Sequence, residues 1–347
     1  LKILLAGAGA HGMSTYARRL LPRLAAEGRL RCAGVVEPDA ARRAEALDAM
    51  ALEASAGFAE IEEALDALRP DILVVASPYR FHEEACLAAV ARGVHLFIEK
   101  PVAHDLPACR RIERAAREAG IRAAVNMSAA FEPEKLAFGR ALAAGRAGDV
   151  DYIFMRMAWD HAAAAKHRRD DPHPYLTEGG VHALEMLLRY AGSRPARVYN
   201  MAWPSAHSVF SGKASNLVSF ECENGVRCAL EGSWTVCAGI STWRDEYIRA
   251  DGSRGALQLD CRRLEYLHGR RDQPEGLQRE PIAYDPTRDE TGGTNVLMRA
   301  FLDWISDSRS DHPTDLTGNL QTMALLFAAC ASADRGEVVD VQDFLSP

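Results

Sequence analysis

Within its first 125 residues the chain alternates short apolar runs with amphipathic stretches, and no other feature limits the possible folds as much. "KILLAG" (2–7) reads as a strand and residues 11–27 as a helix; "RCAGVVE" (31–37) is a strand followed by a helix over 39–50. "DILVVAS" (71–77) and "VHLFIEK" (94–100) are strands on either side of a helix over 80–92, and a helix over 105–119 leads into "IRAAV" (121–125). The strands are continuously apolar rather than alternating, as expected of a parallel sheet covered on both faces. Strand–helix alternation of this kind builds a doubly wound sheet.

The pattern changes after residue 125. A helix near 132–145 precedes "VDYIFMRMAW" (150–159), a polar loop, and a helix over 177–190. From 196 to 260 come "ARVYNMAW", "NLVSFEC", "VRCALEGSW", "WRDEYIRAD" and "GALQLD", runs joined by short turns that suggest a mostly antiparallel sheet. Helices near 294–308 and 316–335 close the chain. The expected organisation is an α/β domain with a doubly wound parallel sheet over 1–125, then an α+β domain with a large, open, mostly antiparallel sheet over 126–347. A length of 347 residues supports two cores.

A net charge of −7 supplies no basic face for phosphates, so no nucleic-acid partner is expected. No run approaches 18 uninterrupted apolar residues, so no membrane partner is expected either. The opening "LKILLAGAGA" is better explained by a buried strand entering a glycine turn than by the apolar core of a signal peptide. The eight cysteines stand at 32, 86, 109, 222, 228, 237, 261 and 330 without a CxxC pair; the expectation is reduced, structural thiols in a cytoplasmic protein.

"GAGAHG" places Gly7, Gly9 and Gly12 in GxGxxG spacing directly after the first strand and at the opening of a helix. Glycine allows the tight turn and close backbone approach, and the helix N-terminus offers N–H groups to a pyrophosphate. Glu37 ends the second strand, where a carboxylate accepts hydrogen bonds from ribose hydroxyls and repels a 2′-phosphate, which favours NAD over NADP. Arg42 and Arg43 follow in the next helix and are expected to be solvated.

"TEGGVHALEMLLRY" (177–190) sets Glu178, His182 and Glu185 at i, i+4 and i+7, with Leu184, Leu187 and Leu188 on an apolar side. A metal site, a proton-transfer site and a solvated face compete for this stripe. No HExxH-like partner histidine is present, and His161, His167 and His173 in the loop 159–175 are the only further candidates, so no metal is expected. Lys166, Arg168 and Arg169 in the same loop read as a solvated charge run or as contacts to an acidic sugar.

"FIEKP" (97–101) ends the strand after "ASPYRFH" (76–82), putting Lys100 at the carboxyl edge of the sheet, where ligands of open α/β sheets bind. The order GxGxxG, acid-ended strand, SPxxxH, EKP and ExGxHxxE resembles the glucose–fructose oxidoreductase/inositol dehydrogenase (Gfo/Idh/MocA) family over essentially the whole chain. The resemblance implies a Rossmann-type cofactor domain, catalytic Lys100, His182 and Glu178, and a cofactor site at Gly7, Gly9, Ala10, His11, Gly12, Glu37, Ser77, Pro78, His82, Glu99 and Lys100. It places substrate near Asn126, Trp159, His161 and Tyr175, and implies a homodimer or homotetramer. Three departures stand out: glutamate replaces the family's usual aspartate at 178 and 185, Tyr79 stands where Asn is common, and Ala130 where Arg is common.

The function so implied is an NAD-dependent oxidoreductase acting on a secondary alcohol or ketone of a sugar, inositol or related polyol. Histidine suits the proton transfer, since its ordinary pKa lies near neutrality; Lys100 would stabilise developing alkoxide charge. Within the same family, the alternatives are an NAD-dependent glycosidase with transient redox and a non-catalytic nucleotide-sensing regulator.

Overall fold

Six parallel strands form the first sheet: β1 (Lys2–Ala6), β2 (Arg31–Val36), β3 (Gly57–Phe58), β4 (Ile72–Val75), β5 (His95–Ile98) and β6 (Ala123–Val125), in the spatial order β3-β2-β1-β4-β5-β6. This computed structural model describes residues 1–163, 168–237, 245–269, 276–286, 292–307 and 311–345. The central strands are sealed on both faces. Ile3, Leu4 and Leu5 of β1 and Ile72, Leu73, Val74 and Val75 of β4 are fully buried. Each such side chain contributes on the order of 1.5–3 kcal/mol relative to exposure, which is why these strands are apolar at every position instead of every second one. Successive strands are added to one side of β1 up to β3 and to the other side from β4 onward, so the turns after the parallel neighbours β1 and β4, at 7–9 and 76–78, lie side by side at the carboxyl edge.

Compact units are Leu1–Ser128 with Asp289–Leu320, and Ala129–Arg288 with Gln321–Pro347. The linear division expected at 125/126 therefore has no counterpart for residues 289–320, which return to the first unit. They do so through specific bonds. Val125 N–H donates to Thr314 O at 2.9 Å, the Thr314 hydroxyl donates to Val125 O at 2.6 Å, and Ala124 bridges Asp315, so the edge of β6 is closed by a segment nearly 190 residues away. Phe301 of the helix Gly293–Ser306 packs on Phe97 of β5, ring centres 5.5 Å apart.

The second unit holds nine strands: β7 (Val150–Ala158), β8 (Pro195–Trp203), β9 (Ser215–Cys222), β10 (Arg227–Ser233), β11 (Tyr247–Gly252), β12 (Gly255–Asp260), β13 (Arg263–His268), β14 (Gln278–Pro281) and β15 (Val339–Asp340). Their order is β14-β13-β12-β11-β7-β10-β9-β8-β15, antiparallel except for the parallel pair β7–β10. The strand expected to begin at Trp243 begins at Tyr247; residues 243 and 244 lie outside the described residues. The inner face carries Ile153, Met155 and Met157 of β7, Val218 and Phe220 of β9, and Cys228 and Leu230 of β10, all buried. Helix Val181–Ala191 covers β7 and β10 on that side and ends at Gly192, whose left-handed backbone (φ +64°) lets its N–H reach Leu188 O. The other face presents Tyr152, Met201, Trp203 and Leu217 to solvent, among the ion pairs Arg156–Glu231, Arg197–Glu221 and Arg227–Asp151.

All eight cysteines are free thiols; Cys237 and Cys261 are exposed and the other six buried. Helix Leu316–Arg335 is long and apolar enough to cross a membrane by length and composition, but 61% of that window is buried in the fold, as in a core helix.

Candidate functional site

The glycine turn shows why three glycines are needed and why they are not equivalent. Gly7 has φ +100°, and a Cβ there would lie 2.4 Å from Ser77 N, because the turns after β1 and β4 abut. A Cβ on Gly12 would lie 2.1 Å from Gly7 O. Gly9 has nothing within 4 Å of its virtual Cβ. Two of the three glycines thus serve packing, while the third leaves open space in front of the helix that starts at Ala10.

Glu37 is buried at the end of β2. Its Oε2 accepts the Ala8 N–H at 2.8 Å and its Oε1 the Asp39 N–H at 3.2 Å, which fixes the carboxylate beside the glycine turn. Arg42 is exposed, as expected from sequence, but Arg43 folds back to donate to the backbone carbonyls of Glu37 and Pro38 at 2.5 and 3.2 Å.

Glu99 of the EKP segment is a buried hub. Its Oε1 accepts from the Tyr16 hydroxyl (2.7 Å), the Asn126 amide (2.7 Å) and His11 Nε2 (2.8 Å), and its Oε2 from Lys100 N–H (3.3 Å). Burial works to raise this carboxyl. The charge and hydrogen bond of His11, the charge of Lys100 and the Tyr16 hydroxyl outweigh it and hold Glu99 well below the usual carboxylate range. Burial and the neighbouring Glu99 push Tyr16 the other way, so its hydroxyl keeps its proton and donates. Asn126 also reaches Thr294 Oγ1 at 3.2 Å. One carboxylate therefore joins the glycine turn, the first helix, β6 and the returning helix, and sets the backbone from which Lys100 projects. Tyr16 and Thr294 were not legible as site residues; nothing local marks a tyrosine one helical turn into an apolar face.

His82 is buried, with Nε2 2.7 Å from Ser77 O and Nδ1 3.2 Å from Val102 O. Burial lowers its pKa below the usual value. Its position shows it bracing the loops that carry Ser77, Pro78 and Lys100. The buried oxygens Ser77 Oγ and Asn126 Oδ1 have no hydrogen-bond partner among the described residues. Open space at Gly9, a fixed carboxylate at the β2 end and polar atoms awaiting partners together fit a dinucleotide.

In the second unit the expected stripe is modified at its start. Leu176–Gly180 forms a wide, π-type turn and the α-helix proper begins at Val181, so the α-helical register does not extend back to Glu178. His182 is 3% exposed and Glu185 4%, whereas Glu178 is partly exposed. A solvated face is thereby excluded for His182 and Glu185. Glu178 Oε2 accepts Arg168 Nε at 2.6 Å, and Arg168 Nη1 also reaches Asp171 Oδ2 at 2.9 Å. Glu185 pairs with Arg189, and its Oε2 has no partner among the described residues; burial is the main cause raising its carboxyl, with Arg189 acting against it.

Of the expected substrate residues, Tyr175 is fully buried and donates its hydroxyl to Met157 O at 3.0 Å, tying the turn before the His182 helix to β7. Asn126 belongs to the Glu99 hub. Trp159 donates its indole N–H to His161 Nδ1 at 3.1 Å, and both rings meet Trp234, centres 6.4 and 4.7 Å apart. Trp234, directly after β10, joins this aromatic cluster from a strand that reads as ordinary core. His173 pairs with Asp334 at 3.1 Å. Lys166 and His167 lie outside the described residues. No group of three or more His, Cys, Asp or Glu side chains able to hold a metal occurs among the described residues.

A family model described as oxidoreductase family, NAD-binding Rossmann fold, matches residues 1–127, and one for the GFO/IDH/MocA C-terminal domain matches 136–258. The chain is 30% identical to the protein y4oX of Sinorhizobium fredii, over 99% of this chain and 96% of that one. It is 27% identical to an inositol 2-dehydrogenase of Leifsonia xyli, over 77% and 73%. A solved oxidoreductase from Agrobacterium radiobacter, in complex with NAD+, L-tartaric acid and magnesium, superposes with a TM-score of 0.86 at 19% identity, covering 99% of each chain, a likeness of fold. Glycine turn, acid-ended strand, EKP hub and the two matched domains lead to one conclusion: this chain belongs to the Gfo/Idh/MocA family of NAD-dependent oxidoreductases.

Proposed function

We propose that this enzyme interconverts a secondary alcohol and a ketone on a sugar, inositol or related polyol, with Lys100 and His182 handling the hydroxyl proton. The observation that carries the reading is His182, an imidazole almost wholly buried at the start of its helix, four residues after Glu178, an acid anchored by Arg168. When bound, NAD supplies the hydride acceptor. His182 takes the hydroxyl proton, Lys100 donates a hydrogen bond to the same oxygen as its charge develops, and Glu178 acts as a fixed anion that orients its neighbours. Arg168 is already matched by Asp171 and Glu178, which favours an uncharged polyol over a uronate at this loop.

Steady-state rates with NAD and a panel of polyols, aldoses and uronates test this. His182→Ala should lose roughly 10²- to 10⁴-fold and Lys100→Ala on the order of 10² to 10³. The two losses should fall short of multiplying, since both groups serve one proton transfer. Glu178→Gln should cost less than either, and Glu185→Gln least. Net NADH accumulation is expected; wild-type turnover in His182→Ala would sink the mechanism.

A further inference from the structure

Residues 168–175 are tied to the start of the His182 helix by Arg168. Its side chain is 10% exposed, and its fork spans two carboxylates, Glu178 at 2.6 Å and Asp171 at 2.9 Å. Asp171 is itself fixed: Oδ1 accepts the His173 N–H at 3.0 Å, and the Thr177 hydroxyl lies 3.3 Å from Oδ2. The guanidinium is therefore anchored from below by an acid set in the local backbone, and it presents its Nε to Glu178. Glu178 needs such an anchor. It sits in the wide Leu176–Gly180 turn, where helical register does not fix its direction, and its side chain has three rotatable bonds. A planar fork fixes a carboxylate in direction as well as in charge.

We propose that Arg168 is a positioning residue for the reaction: it holds the Glu178 carboxylate in one direction, so that Glu178 serves as a stationary partner and the proton goes to His182. This rests on the proton-transfer reading above. It assigns the basic loop a role within the protein rather than toward a substrate acid.

The test uses the full chain with Arg168→Met, Arg168→Lys, Arg168→Ala, Glu178→Gln and the double variant Arg168→Met/Glu178→Gln. Arg168→Met should lower kcat on the order of 10²-fold, the scale of a misplaced catalytic group, while KM and NAD affinity by calorimetry change little. Lysine should recover part of the loss as a point charge, and millimolar guanidinium ion should revive Arg168→Ala. The double variant should be no slower than Arg168→Met alone, because Glu178 is already misdirected there. A merely structural role would lower the melting temperature and the active fraction without rescue by lysine or guanidinium. Unchanged kcat in Arg168→Met, or losses that multiply in the double variant, overturn the proposal. If the methionine variant fails to fold, Arg168→Lys against Glu178→Gln carries the same comparison. His182→Ala assayed alongside separates the two ideas: wild-type turnover there sinks the proton-transfer reading, whereas full loss there with an unaffected Arg168→Met sinks only the role of Arg168.

Discussion

Single carboxylates decide much of this protein's behaviour, and each does so through what faces it. Glu37 is held by two backbone N–H groups beside the glycine turn, and Arg43, the nearer basic side chain, is spent on backbone carbonyls. A carboxylate fixed at the end of β2 repels a 2′-phosphate, so NAD should bind at least tenfold tighter than NADP, about 1.4 kcal/mol. Calorimetric titration with both cofactors checks this, and equal affinities would refute it. Glu185 behaves differently because burial raises its carboxyl. Below the ordinary carboxylate range the group is protonated in both folded and unfolded chains and costs nothing. As pH rises the unfolded chain releases its proton first, so stability falls until the raised folded value is passed, and the cost then stays. Glu185→Gln lacks that penalty, so its melting temperature should gain on wild type as pH rises through and above the ordinary carboxylate range. Thermal unfolding across that range decides it; a gap that narrows with pH contradicts the assignment.

At the level of elements, the turn after β1 separates packing from binding. A Cβ on Gly12 would collide with Gly7 O, and backbone cannot yield cheaply, so Gly12→Ala should destabilise the fold by about 2 kcal/mol or more. Gly9→Ala meets nothing within 4 Å, so the melting temperature should hold while NAD affinity falls. Melting curves with and without NAD test both; equal melting losses in the two variants would show that Gly9 also serves packing. This turn was legible in the sequence because its chemistry is local, as were the apolar strands on either side of it. Elements that depend on distant partners were not. Two-residue β3 exists only as an edge on β2, and β13, β14 and β15 have too little apolar pattern to announce themselves. "PEKLAFGR" lies in the helix expected near 132–145, but nothing in it marks Lys135 as fully buried between Glu134 (3.1 Å) and Glu246 (2.7 Å), the second supplied from more than 100 residues away. The stripe 177–190 was half legible: spacing identified His182 and Glu185 as facing one way, but the wide turn beneath Glu178 and its partner Arg168 follow from loop packing.

For the molecule as a whole, the nine-stranded sheet leaves apolar side chains exposed on one face. Its outer face exposes Met201 (54%), Leu217 (46%) and Trp203 (40%), with Met201 directly opposite Leu217. An apolar patch of this kind on a broad sheet marks an interaction surface. The prediction is a homodimer or homotetramer closed through this face, with Trp203→Lys shifting the mass toward that of one 37.9 kDa chain. Light scattering at micromolar concentration checks it, and a monomer in the unaltered protein would rule it out.

The return of residues 289–320 to the first unit has its own consequence. The chain passes between its units three times, at 128/129, 288/289 and 320/321. An expression fragment ending near residue 128 would lack Thr294 at the Glu99 hub, Thr314 on the edge of β6 and Phe301 on β5. The nucleotide-binding half is therefore not a portable cassette. Grafting it into a chimaera, or swapping it between relatives, requires carrying the distant segment along, and recombination at a single junction near residue 128 would pair this half with a foreign copy of the segment that completes its core.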